Sequence, residues 1–276
     1  MPVERSRTFV PRSSLRSLAY RALLAFAHTA HKIGNGALFT AAGLLRPEEL
    51  EAASVEQYRI FNLSDVEVDA GLTSAERAFY ARFITPQSRV LLVGSGTGRD
   101  LIALQELGHD AVGLEPIADV VKIARRHLAR RQSTAKIRQG LVQSAELGGP
   151  YDAVIFSNGC YSFVPGSALR IRVLRRVAEC LSPRGRIILS YHPATAQSAA
   201  GRWLTRTAAR ISGAGWSPER GDTFSRDHTV RDLIRYHRAF LPAELADECA
   251  QASLQLIANE PTSDGQWFAA AEPVCR

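Results

Sequence analysis

The sequence predicts an α/β domain on a mostly parallel sheet, and three observations predict it. Residues 90–93 are an unbroken apolar run with two β-branched members, which suits a strand buried on both faces. A turn carrying Gly94, Gly96 and Gly98 leads into 100–107, where Leu101, Ile102, Leu104 and Leu107 recur at helical spacing until Gly108 stops the helix. Residues 111–114 repeat the short apolar run and end on Glu115.

The flanking elements follow in chain order. Residues 1–12, with Arg5, Arg7 and Arg12, read as a tail. Residues 13–33 read as a helix with Leu15, Leu18, Ala19, Ala22, Leu23, Phe26 and Ala30 near one face and Arg16 and Arg21 nearer the other. That helix suits packing on the rest of the domain, covering the mouth of a site, or lying on a membrane surface. A second helix is expected over 46–58, with Pro47 in its first turn and Glu48 and Glu49 favouring that end. A third, over 73–84, opens on a capping box of Thr73 and Glu76.

After Glu115 a helix is expected over 118–131. It buries Val120, Val121, Ile123, Ala124 and Leu128, and turns Arg125, Arg126, Arg130 and Arg131 outward. Strands are expected at 135–142 and 151–156. A helix over 168–180 carries Arg170, Arg172, Arg175 and Arg176 on its outer side, and Pro183 and Gly185 make a turn before a strand at 187–191. Residues 194–224 read as a partly helical insertion, and 254–258 and 266–270 as a closing antiparallel pair.

Composition bounds the function. The chain has 276 residues, 46% hydrophobic and 22% charged, enough to bury a full core without staples. Its four cysteines, Cys160, Cys180, Cys249 and Cys275, show no metal-ligand spacing and read as reduced thiols of a cytoplasmic protein. No apolar run approaches the ~20 residues that span a bilayer. The net charge of +7 is carried almost wholly by arginines spread along the chain. It suits an acidic substrate, nucleic acid or an anionic membrane, or simply solvated faces.

The glycine turn dictates chemistry. Glycine lets backbone approach a ligand where a Cβ would collide, and the helix N-terminus behind it offers N–H groups to an anion. A carboxylate ending the next parallel strand can accept both hydroxyls of a ribose. Gly94, Ser95, Gly96, Thr97, Gly98, Glu115 and Pro116 therefore compose a nucleoside site. A dinucleotide fingerprint needs its third glycine at position 99, and that residue is Arg99.

VLLVGSGTGRD followed by GLEP resembles the first two motifs of the class I S-adenosylmethionine-dependent methyltransferases, of small-molecule type. The resemblance extends over about residues 73–192 and, more loosely, to the tail. It implies a Rossmann-like three-layer sandwich whose seven-stranded sheet has the order 3-2-1-4-5-7-6. Residues 1–54 would be a tail and helical addition or lid, and 55–276 the methyltransferase domain, with 194–224 inserted over the substrate mouth. The implied cofactor is S-adenosyl-L-methionine, giving S-adenosyl-L-homocysteine, with no metal.

The family's acid that reads the adenine amino group falls here on Gln143, whose amide carbonyl can accept the same hydrogen bond. YDAVIF matches the fourth motif, so Ser157 and Asn158 would border the methyl donor, with Tyr161 on the acceptor side. Cys160 is either a nucleophile or a packing residue. Tyr58, in the segment that closes over the cofactor in this family, is a cofactor contact or a packed aromatic. His192 ends the fifth strand, and it is either a general base, since free imidazole titrates near neutrality, or a residue lining the pocket. Trp203 and His237 complete the expected substrate side. The implied function is methyl transfer to an O, N, S or C nucleophile of a small molecule. An RNA-directed methyltransferase and a binding protein without turnover are the readings from other classes. No RNA-binding module is recognisable, so nucleic acid is not the expected partner, and the sequence is silent on oligomeric state.

Overall fold

Four helices precede the sheet: α1 (Ser14–Ala42), α2 (Pro47–Glu56), α3 (Asp65–Ala70) and α4 (Ser74–Phe83). α2 starts on Pro47, where a missing N–H costs nothing. In α3 and α4 the reciprocal pairs Ser64–Glu67 and Thr73–Glu76 satisfy N–H groups of the first turn. Strand and helix then alternate: β1 (Arg89–Val93), α5 (Arg99–Glu106), β2 (Asp110–Glu115), α6 (Ala118–Arg130), β3 (Lys136–Gln139), β4 (Tyr151–Phe156), α7 (Ser167–Ala178) and β5 (Leu181–Tyr191). α8 (Ala199–Ser212), the hairpin β6 (Asp222–Arg226) and β7 (Ile234–Arg238), α9 (Pro242–Gln251), β8 (Leu254–Pro261) and β9 (Trp267–Pro273) complete the chain. The structure, a computed structural model, describes residues 14–274 apart from 60–63, 195–198, 228–229, 231 and 263–264. The expected tail at 1–12, Cys275 and part of the expected insertion lie outside the described residues.

The sheet runs β3-β2-β1-β4-β5-β9-β8, parallel from β3 to β5 and antiparallel at β9 and β8. This is the expected Rossmann-like order, with β8 and β9 as the sheet's sixth and seventh strands. β1 lies inside the sheet between β2 and β4, with Leu91 in register with Val112 on one side and Val154 on the other. Its alternate residues feed two cores. Val90 and Leu92 join Leu101, Leu104, Val121 and Phe79 on the face of α4, α5 and α6. Leu91 and Val93 join Leu174, Val177, Leu245 and Cys249 on the face of α7 and α9. Full burial of each such side chain contributes roughly 1.5–3 kcal/mol, which is why the strand reads as one apolar run.

Several boundaries differ from expectation. α1 continues to Ala42, well past Ile33, because its C-terminal end packs on α8, where Thr205 Oγ1 donates to the Phe39 carbonyl. β3 ends at Gln139: the Gly140 N–H donates to the Glu115 carbonyl, and 141–145 turn away under Ser144 and Ala145 bonds to Leu141. The expected turn at Pro183 and Gly185 is a bulge within β5, where the register jumps from Tyr151↔Leu181 to Ala153↔Arg186. The hairpin of β6 and β7 was not expected. It packs Phe224 and Tyr236 against Ala42 and Leu50, a third small core joining the N-terminal helices to the domain.

The largest correction is Arg170, expected on the outer side of its helix. It is fully buried, and its guanidinium donates to both carboxylate oxygens of Glu248 and to Glu219 and the Val164 carbonyl. Arg172 and Arg175 do face solvent.

Candidate active site

The carboxyl ends of β1, β2, β4 and β5 open on one cavity of about 470 Å³. Its floor is the glycine turn after β1. Gly96 has φ +54°, and its N–H donates to Glu115 Oε2 at 3.0 Å. Glu115 Oε1 accepts from the Ile117 N–H at 3.1 Å, so the carboxylate lies across the turn between β2 and the cavity. Burial lifts the Glu115 pKa above its ordinary value, while the Ile117 and Gly96 N–H groups pull it back.

A residue not singled out from the sequence braces this turn. The buried His127 of α6 places Nδ1 at 2.8 Å from the Thr97 carbonyl. A carbonyl only accepts, so Nδ1 carries the proton. Arg99 pairs with Glu76 at 2.6 Å and with Asp100, and Ser157 Oγ donates to Asp100. These ties couple the turn to α4 and to the end of β4.

Three buried atoms of the cavity wall have no hydrogen-bond partner among the described residues: Ser95 Oγ, Thr97 Oγ1 and Gln143 Oε1. A buried polar atom left unpaired costs about 1–3 kcal/mol, so a wall carrying three is built for a polar ligand or ordered water. The residues present fit a nucleoside: a carboxylate at the strand end, an amide acceptor at Gln143, and backbone free of Cβ at Gly96.

Of the residues expected to hold the cofactor, Gly94, Ser95, Gly96, Thr97, Glu115, Pro116, Gln143, Ser157, Asn158 and Tyr58 all line this cavity. Gly98 does not. It is the N-cap of α5 at φ +100°, buried beside Ala124, and its work is to turn the chain into the helix. Asn158 also sits in the left-handed region, at φ 40°, in the 3-10 turn of Ser157–Phe163 that follows β4. Cys160 lines the cavity too, its thiol directed at the Val93 carbonyl. Burial, then the nearby Glu115 and Asp100 charges, push its pKa well above the ordinary thiol value, so the group is protonated and a poor nucleophile.

On the substrate side the outcome divides. His237 of β7 and His192 after β5 both line the cavity, with ring centroids 5.9 Å apart. Burial, then His192 and Arg235, lower the His237 pKa to about 4, so that ring is neutral at neutral pH. Phe163 packs edge-on to Tyr58 at 4.7 Å and to His237 at 5.3 Å, which makes one continuous ring wall. Tyr161 is not part of it. It is fully buried behind the wall, its hydroxyl donating to Glu248 at 2.8 Å and its ring stacked on Phe240. Trp203 is likewise displaced: α8 packs on α1, and the indole is 65% exposed away from the cavity.

Arg235, Phe163, Ser54, Val55, Leu141 and Val142 also line the cavity and were missed. Ser54 and Val55 come from α2 and Arg235 from the hairpin, and no local pattern brings segments so distant in sequence together. Leu141 and Val142 were assigned to β3, and only its early end makes them cavity wall.

A family model for a methyltransferase domain matches residues 69–234. No functionally curated protein matches the chain significantly in sequence. Among solved structures, a SAM-dependent methyltransferase from Methanosarcina mazei superposes with TM-score 0.59 at 16% identity, covering 75% of this chain and 100% of that one. The CcbJ methyltransferase from Streptomyces caelestis gives 0.56 at 18%, over 79% and 95%. The glycopeptide N-methyltransferase MtfA complexed with S-adenosyl-L-homocysteine gives 0.55 at 19%, over 76% and 91%. At such identities the likeness to these structures is one of fold.

Proposed function

This chain belongs to the methyltransferase-domain family and is an S-adenosylmethionine-dependent methyltransferase, and from that premise we propose that it methylates a small-molecule acceptor held between the ends of β4 and β5. The observation that supports this is a single cavity running from the glycine turn and Glu115 to the wall of Tyr58, Phe163, His192 and His237. Its volume is of the order that a nucleoside and a small acceptor together require. The cofactor supplies an electrophilic methyl group on a sulfonium. The chain's own residues bind and align. In this reading Glu115 accepts the ribose hydroxyls, Gln143 Oε1 accepts the adenine amino group, and Ser157 and Asn158 border the methyl. The ring wall orients the acceptor and excludes water, and alignment of that kind is the main source of rate in such a transfer.

An RNA acceptor is favoured only by the net charge. At the C-terminal end of α6, Arg130 pairs with Asp65 and Asp69, and Arg131, which caps the helix, with Asp69 and Glu106, so two of its four outward arginines are already neutralised. Incubation with labelled cofactor and host extract, followed by identification of the labelled product, tests the reading. A labelled small molecule supports it. Labelled RNA, or no labelled product in any pool, overturns it.

Glu115→Ala is expected to weaken S-adenosyl-L-homocysteine binding by at least about tenfold in calorimetry, since each hydrogen bond to a carboxylate is worth roughly 1.5–3 kcal/mol. An unchanged dissociation constant would place the ribose elsewhere. For the acceptor side, His192→Ala is expected to lower kcat by about a hundredfold while cofactor affinity stays, as loss of a general base does. A raised KM with kcat near wild type would reduce His192 to a residue that lines the pocket.

A further inference from the structure

The first two-thirds of α1 form a solvent-exposed arm. From Leu15 to Asn35 every residue but Ser17 is exposed, and contact with the domain begins near Phe39, which meets Phe224 edge-on, and Thr205. At 1.5 Å per residue the exposed part is about 30 Å long. It is nevertheless strongly apolar on one side. Leu15, Leu18, Leu23, Phe26 and Ile33 are 81, 68, 68, 72 and 68% exposed. With 100° between successive residues, these five and Ala19, Ala22 and Ala30 between them fall within about 140° of arc. An apolar stripe of this extent on a solvent-facing helix marks an interaction surface.

Charge says what covers it. From Arg5 to Pro47 the chain has seven cations, Arg5, Arg7, Arg12, Arg16, Arg21, Lys32 and Arg46, and no acid. On the helix, Arg16 borders one edge of the stripe and Arg21 and Lys32 the other, where long side chains can lay their stems on apolar surface and hold their charges level with it. A second copy would bring like charge against like. A nucleic acid would leave the stripe in water. An anionic bilayer surface accepts both features, taking the stripe to the depth of its acyl boundary and the cations at its headgroups. No helix among the described residues is long and apolar enough to cross a membrane, so the arm would lie in the interface plane.

We propose that α1 is a peripheral anchor that docks this methyltransferase on anionic membrane. The test uses the full chain and sedimentation with two sets of vesicles, pure phosphatidylcholine and phosphatidylcholine with phosphatidylglycerol. The protein is expected to sediment with the anionic vesicles only, and less as salt rises. The double variant Leu18→Glu/Phe26→Glu is expected to cut that partition by about tenfold or more, and Arg16→Glu/Arg21→Glu to weaken it. Both pairs are solvent-exposed, so circular dichroism and S-adenosyl-L-homocysteine affinity should stay at wild type. That control separates failure of the anchor from failure of the methyltransferase reading. Equal sedimentation with both vesicle sets, or with neither, overturns the proposal. So does a dimer in light scattering that Phe26→Glu dissociates, which would assign the stripe to a second copy, or retention by RNA that Leu18→Glu/Phe26→Glu leaves unchanged.

Discussion

Gly96→Val is expected to abolish binding of S-adenosyl-L-methionine and S-adenosyl-L-homocysteine, with no heat detectable in a titration that reads micromolar affinity for the wild type. Gly96 holds φ +54°, a conformation that costs an L-residue about 1–2 kcal/mol and is hardest on a β-branched one. The same residue donates its N–H to Glu115 Oε2 at 3.0 Å and lines the cavity. A valine would therefore break the placement of the turn, strain the carboxylate that lies across it, and fill cavity space with two methyl groups. The strain is small beside the 5–15 kcal/mol stability of an ordinary domain, so the variant should fold, and circular dichroism checks that it does. Gly96→Ala should be intermediate. A folded Gly96→Val that still binds would remove the cofactor from this turn.

Arg170→Met is expected to cost about 3–5 kcal/mol of folding stability, read as a lower urea midpoint with an unchanged m-value. The cause is not the lost attraction but the charge left behind. Glu248 is only 4% exposed, and besides the guanidinium it has the Tyr161 hydroxyl at 2.8 Å. Without Arg170 its carboxylate is buried and short of donors. The double variant Arg170→Met/Glu248→Gln should then regain a substantial part of the loss, because the neutral amide carries a much smaller burial penalty. If the double variant is no more stable than the single one, the pair is not the source of the cost. Tyr161 lies within 157–163, which also bears Ser157, Asn158 and Phe163 on the cavity, so the network supports the site from behind.

How far the site could be read from the chain follows from distance in sequence. Gly94, Gly96 and Glu115 lie on one strand–turn–helix–strand unit, whose geometry local preferences dictate, and they were legible there. Gln143, Asn158 and His192 follow strand ends, and parallel topology gathers strand ends at one edge. Tyr161 and Trp203 fail that logic for a plain reason. An aromatic residue near a site can as well pack into the core or face solvent, and neither composition nor spacing records which way a side chain turns. Arg170 fails similarly: an arginine on an amphipathic helix reads as solvated unless its acid partner is known, and Glu248 is 78 residues away.

The sequence by itself determined the βαβ core, its strand order by way of family resemblance, and the glycine-turn end of the cavity with Glu115, because hydrophobic period and glycine placement are local and act within about 30 residues. Tertiary packing alone decided the ring-walled end. Tyr58 from the segment after α2, Phe163 after β4, His192 after β5 and His237 with Arg235 from the β6–β7 hairpin meet only because Tyr236 and Phe224 bury that hairpin against the N-terminal helices. Contacts of that kind depend on the summed burial of surfaces far apart in the chain, and no window of sequence contains them.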